Sequence, residues 1–295
     1  GFMLTPMSIV NFLGSLSSWY LKDLRRAAQE RHEIRQSEYS DLKAMVSSRQ
    51  ELRGEFADAV ILRSMPPGSL EQIVFRMDLL AQVQTSGVYV LNSPRAMEVA
   101  IDKYLATSRL SAAGINRPKT HVSQSWQTAM LGFLELGGDA VIKPLFGGEG
   151  RGITRVSDPD LAERAFKMLA QMGAVIYQQE FIPHDGTDIR VLLLGKQAWA
   201  IRRRNSNDWR TNVSRGAATE PVELTQPLLD MARQAARTVG AEFAGVDILE
   251  DRDGSHYVLE VNAVPGWRAL SKTLKVDVAA AVLDHIEGAV TKKQS

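Results

Sequence analysis

Asp247, Glu260 and Asn262 have the residue types and spacing of a metal site. They lie in Gly245–Gly266, GVDILEDRDGSHYVLEVNAVPG. Val246 and Ile248, then Tyr257, Leu259 and Val261, alternate with polar residues as strands do, and Asp253-Gly254 between them is a hairpin signal. With Asp253 and Gly254 as the two loop residues, Asp247 stands opposite Glu260. Asn262, two positions on, shares their face, because side chains alternate with period 2. A four-residue loop keeps that face, and a three-residue loop puts Asp247 on the other. An Asp, a Glu and an Asn offer only oxygen ligands, which suits Mg²⁺ held together with substrate phosphates. The alternative is an ordinary hairpin with its polar face in water.

A second group of residues has anion chemistry. In KPLFGGEGRG, residues 143–152, Gly147, Gly148, Gly150 and Gly152 let backbone N–H groups approach an anion closely. No Gly-Lys-Ser/Thr closes the loop, and a strand, Ile153 to Val156, follows it, so it is neither a P-loop nor a dinucleotide fingerprint. It reads as a flap between two antiparallel strands, with Lys143 on the first in reach of phosphates. The strand Ala174 to Ile182 leaves its sheet at Pro183; its main-chain groups could hold an adenine, with Glu180 near the ribose. Arg202, Arg203, Arg204, Arg210 and Arg215 form a cluster suited to bidentate bonding of phosphate or carboxylate.

Composition narrows the classes. The chain has 295 residues, which suggests about two domains, and 44% hydrophobic content for their cores. Lys plus Arg number 35 against 34 Asp plus Glu, so the net charge predicts no nucleic-acid partner. There is no Cys, which excludes thiolate nucleophiles, thiolate zinc sites and disulfides, and the cytoplasm is the expected location. The five His match no metal spacing. Pro6, Asn11, Gly14 and the serines at 15, 17 and 18 interrupt the uncharged first 21 residues, so a buried strand running into a helix is expected there and no membrane segment.

The elements that must position these residues follow from periodicity. Residues 1–92 read as an α/β lobe. It has a helix over Trp19 to Glu33, a strand over Ala57 to Leu62, a helix from Ser69 to Thr85 with Leu70, Val74, Met77 and Val83 inward, and a strand from Val88 to Leu91. Strand, helix, strand implies a parallel pair with a right-handed crossover. Ser93-Pro94 opens a helix carrying Met97, Ile101, Lys103 and Leu105 and stopping at Gly114. Strands follow at Lys119 to Ser125 and Ala140 to Pro144, with a helix near Thr128 to Leu136 between them. Beyond the glycine loop come a helix from Leu161 to Met172, a strand pair Asp188 to Leu194 and Gln197 to Ile201, a helix from Pro227 to Val239, and a final helix striped by Val278, Val282, Ile286 and Val290.

In order, Asp102-Lys103 with AAGINRPKT (112–120), VIKPLFGGEGRGI (141–153), QQEFI (178–182), DIRVLLLG (188–195), AIRRR (200–204), WRTNVSRG (209–216), GVDIL (245–249) and LEVNAVPG (259–266) together resemble the ATP-grasp superfamily, and within it the RimK-type amino-acid (glutamate) ligases. The resemblance implies an α+β and α/β chain in three lobes. A pre-ATP-grasp α/β lobe (1–93) precedes linker helices and a small lobe with the glycine flap (94–178), then a large lobe with the metal site (179–295), the last two clasping ATP. It implies Lys103 and Lys143 at the ATP phosphates, with Gly147, Gly148 and Gly150 in the flap. Glu180 and Phe181 would lie at the adenosine, Asp188 at the ribose side, and Arg210 and Asn212 at the reacting phosphates. Asp247, Glu260 and Asn262 would hold two Mg²⁺ or Mn²⁺ ions, with Glu260 bridging. The implied reaction joins an acceptor carboxylate to an amino acid, expected to be glutamate, through an acyl phosphate, with Arg210 and Lys143 as the catalytic groups. The acceptor would be a tetrahydromethanopterin-like pterin or, alternatively, a ribosomal-protein C-terminus, and a homo-oligomer is expected. The region near Trp267, where ribosomal-protein glutamate ligases carry smaller or acidic residues, is expected to face the acceptor. Two other classes compete: a nucleotide-binding module without turnover, against which the intact metal carboxylates weigh, and an Arg-patch nucleic-acid binder.

Overall fold

Parallel pairing starts at the N-terminus. The structure, a computed structural model, describes residues 8–47, 56–147, 151–213 and 216–294. β1 (Ser8–Leu13), β2 (His32–Ser37), β3 (Ala59–Leu62) and β4 (Tyr89–Leu91) form an all-parallel sheet in the order β2-β1-β3-β4. The expected strand at the start of the chain is β1. β2 was not expected: α1 (Trp19–Ala28) stops at Gln29, whose φ is 48°, instead of continuing to Glu33. HEIRQS carries one aliphatic residue and lies at the sheet edge, so it has no strong strand pattern.

α2 (Leu70–Thr85) begins at Ser69, in a capping box with Gln72. Its buried stripe holds Arg76, Met77, Leu80 and Val83, while Leu70 is 80% and Val74 49% exposed, so neither faces inward as expected. The helix expected to run unbroken from Pro94 is two helices, α3 (Pro94–Ile101) and α4 (Lys103–Ala112). Asp102 separates them: its carboxylate accepts from the Leu105 amide at 3.0 Å and caps α4. Lys103 is thereby the first residue of a helix, and Ile101 drops off the buried stripe.

The small sheet, order β5-β8-β6-β7, is built from β5 (Thr120–Ser123), β6 (Ala140–Lys143), β7 (Thr154–Val156) and β8 (Ile176–Glu180). β6 and β7 are antiparallel and flank the glycine loop, and β8 carries this sheet two residues past the division expected at 178. α5 (Trp126–Glu135) and α6 (Pro159–Gln171) cover it around Phe133, Ile142, Phe166 and Ile176. The large sheet is antiparallel, β11-β10-β9-β12-β13, from β9 (Thr187–Leu194), β10 (Gln197–Arg204), β11 (Ala218–Pro221), β12 (Phe243–Glu250) and β13 (His256–Asn262). α7 (Gln226–Val239), α8 (Arg268–Leu274) and α9 (Val278–Gln294) accompany it. Among the described residues no helix is long and apolar enough to cross a membrane.

The small lobe has its own core, but the other two lobes share theirs. One cluster joins Val60, Leu80 and Val90 to Val191, Ala235 and Val246; another joins Val10, Phe12 and Ile61 to Leu192, Phe243, Trp267 and Ile286. Trp267 is thus wholly buried, with Nε1 donating to Asp23 at 2.8 Å and the ring 4.6 Å from that of Tyr20. Its own side chain therefore packs in the joint between the two lobes. Asn92 fastens the same joint. Its Nδ2 donates to the Phe243 and Ala263 carbonyls, each at 2.6 Å, and its Oδ1 accepts from the Glu242 and Phe243 amides, each at 2.9 Å. Asn92→Ala leaves those backbone groups without their partner in a buried setting, so the unfolding free energy from a denaturant titration should fall by at least about 3 kcal/mol. A loss under about 1 kcal/mol would show the clamp to be idle.

Candidate active site

One face of the large sheet changes character halfway along its strands. Leu192 and Leu194 on β9, Ile201 on β10 and Phe243 on β12 cover the N-terminal lobe. Further along the same face stand Asp188 and Arg190, Arg203, and Asp247. Across the strands, Arg203 stands opposite Asp188, Arg190 opposite Asp247, and Asp247 opposite Glu260 on β13. Arg203 forks onto Asp188 with Nε at 2.8 Å and Nη2 at 2.5 Å, and reaches Asp247 at 3.1 Å. Arg190 forks onto Asp247 at 2.7 and 2.9 Å. Asp188 is 2% and Arg203 4% exposed. Burial opposes ionisation of Asp247, but Arg190 and Arg203 outweigh it and hold its pKa at about 2. Burial also disfavours the Arg203 cation, yet Asp247 and Asp188 raise its pKa above the ordinary value.

The hairpin that carries Asp247 and Glu260 differs from expectation in two places. The Asp251 amide donates to the Ser255 carbonyl at 3.0 Å and the Gly254 amide to Asp251 at 3.1 Å, so the loop is the three residues Arg252, Asp253 and Gly254. Alone, that loop would put Asp247 on the wrong face. A β-bulge at Leu259 restores the register: Ile248 pairs with Val258, while Asp247 pairs with Glu260. The bulge also reassigns the faces of β13. Val258 and Val261 are core, and Leu259 turns to the cleft.

The small lobe supplies cations opposite. Lys143, at the end of β6, donates to Gln179 Oε1 at 2.7 Å, and burial lowers its pKa to about 8 despite the nearby Glu260 charge. Gln179 is fixed in turn by Nε2 bonds to Tyr177 Oη and Thr120 Oγ1, each 3.0 Å. Lys103 donates to the Gly147 carbonyl at 2.6 Å, and burial lowers its pKa as well. Gly147 has φ 136°, a conformation that favours glycine. Gly148, Gly150 and Arg215 lie outside the described residues.

A cavity of about 730 Å³ between the lobes brings together Lys143, Glu180, Phe181, Asp188, Arg210, Asn212, Asp247 and Glu260. Its apolar lining includes Ile153, Leu249 and Leu259, and its aromatic wall is Phe181 with Trp209 edge-on at 5.9 Å. Lys103 and Gly147 open instead onto a neighbouring cavity of about 560 Å³, which shares Lys143, Ile153, Leu259 and Glu260. Asn262 lines neither, and its Oδ1 accepts from the Val264 amide at 2.8 Å. Arg210 pairs with Asp208 at 2.7 Å. Glu180 accepts from the Lys119 amide at 2.8 Å. Asp188, expected at the ribose, has both oxygens engaged by Arg203.

The donor chemistry fits a hard cation, with limits. Asp247, Glu260 and Asn262 offer a metal only oxygen donors, and the Glu260 carboxylate has no protein hydrogen bond among the described residues. Asp247 already shares its carboxylate with two guanidiniums, and no cluster of three His, Cys, Asp or Glu occurs among the described residues. Such a site needs oxygens from a phosphate ligand to complete it. Sequence reasoning missed Arg190, Gln179 and the part played by Arg203. The parity of Asp188-x-Arg190 carried the first signal; the Gln179 bond to Lys143 crosses strands whose pairing no local pattern reveals.

Residues 100–286 match the RimK-like ATP-grasp domain family. The tetrahydromethanopterin:alpha-L-glutamate ligase of Methanosarcina acetivorans is 33% identical over 78% of this chain and 80% of its own length. A probable alpha-L-glutamate ligase of Haemophilus influenzae is 32% identical over 71% of this chain and 70% of its own. Among solved structures, the ATP-grasp ligase PsnB with a minimal precursor superposes with TM-score 0.76 at 23% identity, covering 96% of this chain and 99% of that one. A RimK domain protein from Sphaerobacter thermophilus gives 0.72, also at 23% identity, over 95% and 99%. The three sheets and the cleft between them are therefore an ATP-grasp fold, and the chain belongs to the RimK-like ATP-grasp family.

Proposed function

We propose that this chain is an ATP- and Mg²⁺-dependent carboxylate–amine ligase that joins glutamate to an acceptor carboxylate. The observation that carries it is the convergence of Lys143, Arg210, Asp247 and Glu260 on one inter-lobe cavity. A carboxylate is a poor electrophile for an amine. Transfer of the γ-phosphoryl group of ATP to it gives an acyl phosphate and ADP, and attack of the amine on the acyl carbon then releases phosphate. Apart from proton transfer, that chemistry needs charge stabilisation and exclusion of water more than a nucleophilic side chain.

The chain's residues divide that work. Lys143, set by Gln179, and Lys103, set by Gly147, meet the phosphates. Arg210, whose Nε and Nη2 rest on Asp208, would exchange that partner to bridge a phosphate and the acceptor carboxylate. Phe181 and Leu259 hold the base, and Asp188 keeps Arg203 extended toward Asp247. Asp247, Glu260 and Asn262 would hold two Mg²⁺, which would neutralise charge on the phosphate oxygens. The names of the archaeal relatives favour a small acid such as a tetrahydromethanopterin-like pterin as acceptor. The three sheets are read as three lobes, near 1–93, 94–180 and 181–295.

The test is ADP formation with Mg²⁺, L-glutamate and a panel of carboxylic acids, with mass spectrometry to find an added glutamyl mass. No ADP and no product across the panel would count against a ligase. Glu260→Gln should lower turnover at least about a hundredfold while the thermal transition persists; near-normal ADP production would remove Glu260 from the site. Arg210→Lys keeps the charge and loses the fork, so kcat should fall further than ATP affinity, whereas exposed Arg95→Lys should change neither. Equal, small effects in the two variants would make Arg210 a surface residue. Lys143 loses its proton as pH rises through about 8. The KM for ATP should therefore climb between pH 7 and pH 9, and Lys143→Arg, which stays charged, should flatten that climb. An equally steep climb in both would assign it to another group.

A further inference from the structure

Arg63 is a buried cation outside the network of Arg190 and Arg203. It follows β3 directly and is 6% exposed, nearly as buried as Arg203. Its guanidinium carbon lies 4.6 Å from the centre of the Tyr20 ring and 5.1 Å from that of Trp267. Nη1 donates to the Pro265 carbonyl at 3.1 Å. Among the described residues no carboxylate pairs with it, and Nε and Nη2 find no acceptor. Burial lowers its pKa to about 10, so it is still charged at neutral pH. Where Arg203 has two carboxylates, Arg63 has one carbonyl and two ring faces. A guanidinium this buried is ordinarily paired with an anion.

Its position supplies a reason for the vacancy in charge. β1 has β2 on one side and β3 on the other, so the order of the parallel sheet reverses between β1 and β3. In open parallel sheets ligands bind in the crevice outside the carboxyl ends of the strands at that point. Gly14 follows β1 and Arg63 follows β3, and they touch: a Cβ on Gly14 would lie 2.9 Å from Arg63 Cβ. The other side of Arg63 reaches the large lobe. Pro265 packs at Gly245, where a Cβ would lie 3.3 Å from Pro265 and 3.6 Å from the Arg190 guanidinium. Arg63 is thus one layer of residues away from the Arg190–Asp247 pair, and three positions beyond Asn262 in its contact with the chain.

We propose that Arg63 anchors a carboxylate of the non-nucleotide substrate at the carboxyl ends of β1 and β3, where the strand order reverses. The inference rests on the ligase reading, in which both the incoming glutamate and the acceptor carry that group. A guanidinium offering Nε and Nη2 side by side matches a carboxylate in two parallel bonds. The bound anion completes an electrostatic arrangement that the protein alone leaves open.

Calorimetric titration of protein saturated with Mg²⁺ and a non-hydrolysable ATP analogue tests it. The probes are L-glutamate and, as an acceptor surrogate, the dipeptide γ-L-glutamyl-L-glutamate. Arg63→Met should weaken binding of one probe at least tenfold, with the affinity for the ATP analogue unchanged, and Arg63→Lys should lose less. Loss confined to glutamate assigns the incoming amino acid; loss confined to the dipeptide assigns the acceptor. Ligand-free Arg63→Met should melt no lower than the parent protein, because it removes an unpaired buried charge and keeps the bulk. If the Met variant does not fold, the Lys variant carries the affinity test. Equal probe affinities in parent and variants, or no binding of either probe to the parent, would overturn the assignment and leave Arg63 a clamp between lobes. Failure of the parent to bind the ATP analogue would instead overturn the ligase reading on which it depends.

Discussion

Asp247 is an ionised carboxylate held between two guanidiniums on a buried sheet face, and the site is arranged around it. Alone, that charge would be expelled from such a place or neutralised. Arg190 and Arg203 keep it ionised, and Asp188 in turn keeps Arg203 in place. Four charged groups on three adjacent strands therefore stand or fall together. Removing one would strand its partner, a loss of roughly 3–5 kcal/mol for a buried pair. The network also directs chemistry. With Asp247 already committed to arginines, Glu260 is the carboxylate of the pair left without a protein hydrogen bond among the described residues.

The lobes differ in how firmly they are joined. Two apolar cores and the Asn92 clamp run from the N-terminal lobe into the large lobe, so the floor of the cleft is one body. The small lobe packs around its own Phe133 and Phe166. Among the described residues its polar ties to the large lobe are particular. Asn116 donates to the His256 carbonyl at 2.7 Å and accepts from the Val258 amide at 2.9 Å, and Arg210 Nη1 donates to the Ile153 carbonyl at 3.4 Å. Asp247 and Glu260 therefore sit on the side that shares its core with the N-terminal lobe, and Lys143 on the side that does not.

Much of this was legible in the residues. Alternation located β9, β12 and β13, and the Asp247–Glu260 pairing followed from parity. What escaped has physical causes. β2 is an edge strand with little apolar content. The break at Asp102 rests on one cap, which a smooth Met97–Ile101–Leu105 stripe conceals. The burial of Trp267 was not legible because it packs on Tyr20, in a lobe more than 200 residues away in sequence. The three-residue loop was missed because its error in register was cancelled by another. Two local irregularities, the loop and the bulge at Leu259, together gave the pairing expected of a regular hairpin.

That cancellation makes the β12–β13 hairpin a matter of odd and even. A chain that shortens or lengthens this loop by one residue turns Glu260 away from Asp247 unless Leu259 is altered in the same step. Changes of two residues leave the facing intact. Length variation at this tip among descendants of the sequence should therefore come in pairs, or arrive with a compensating change at the bulge. An exposed turn, ordinarily the freest place for insertion, is here bound by arithmetic to a residue five positions from Gly254.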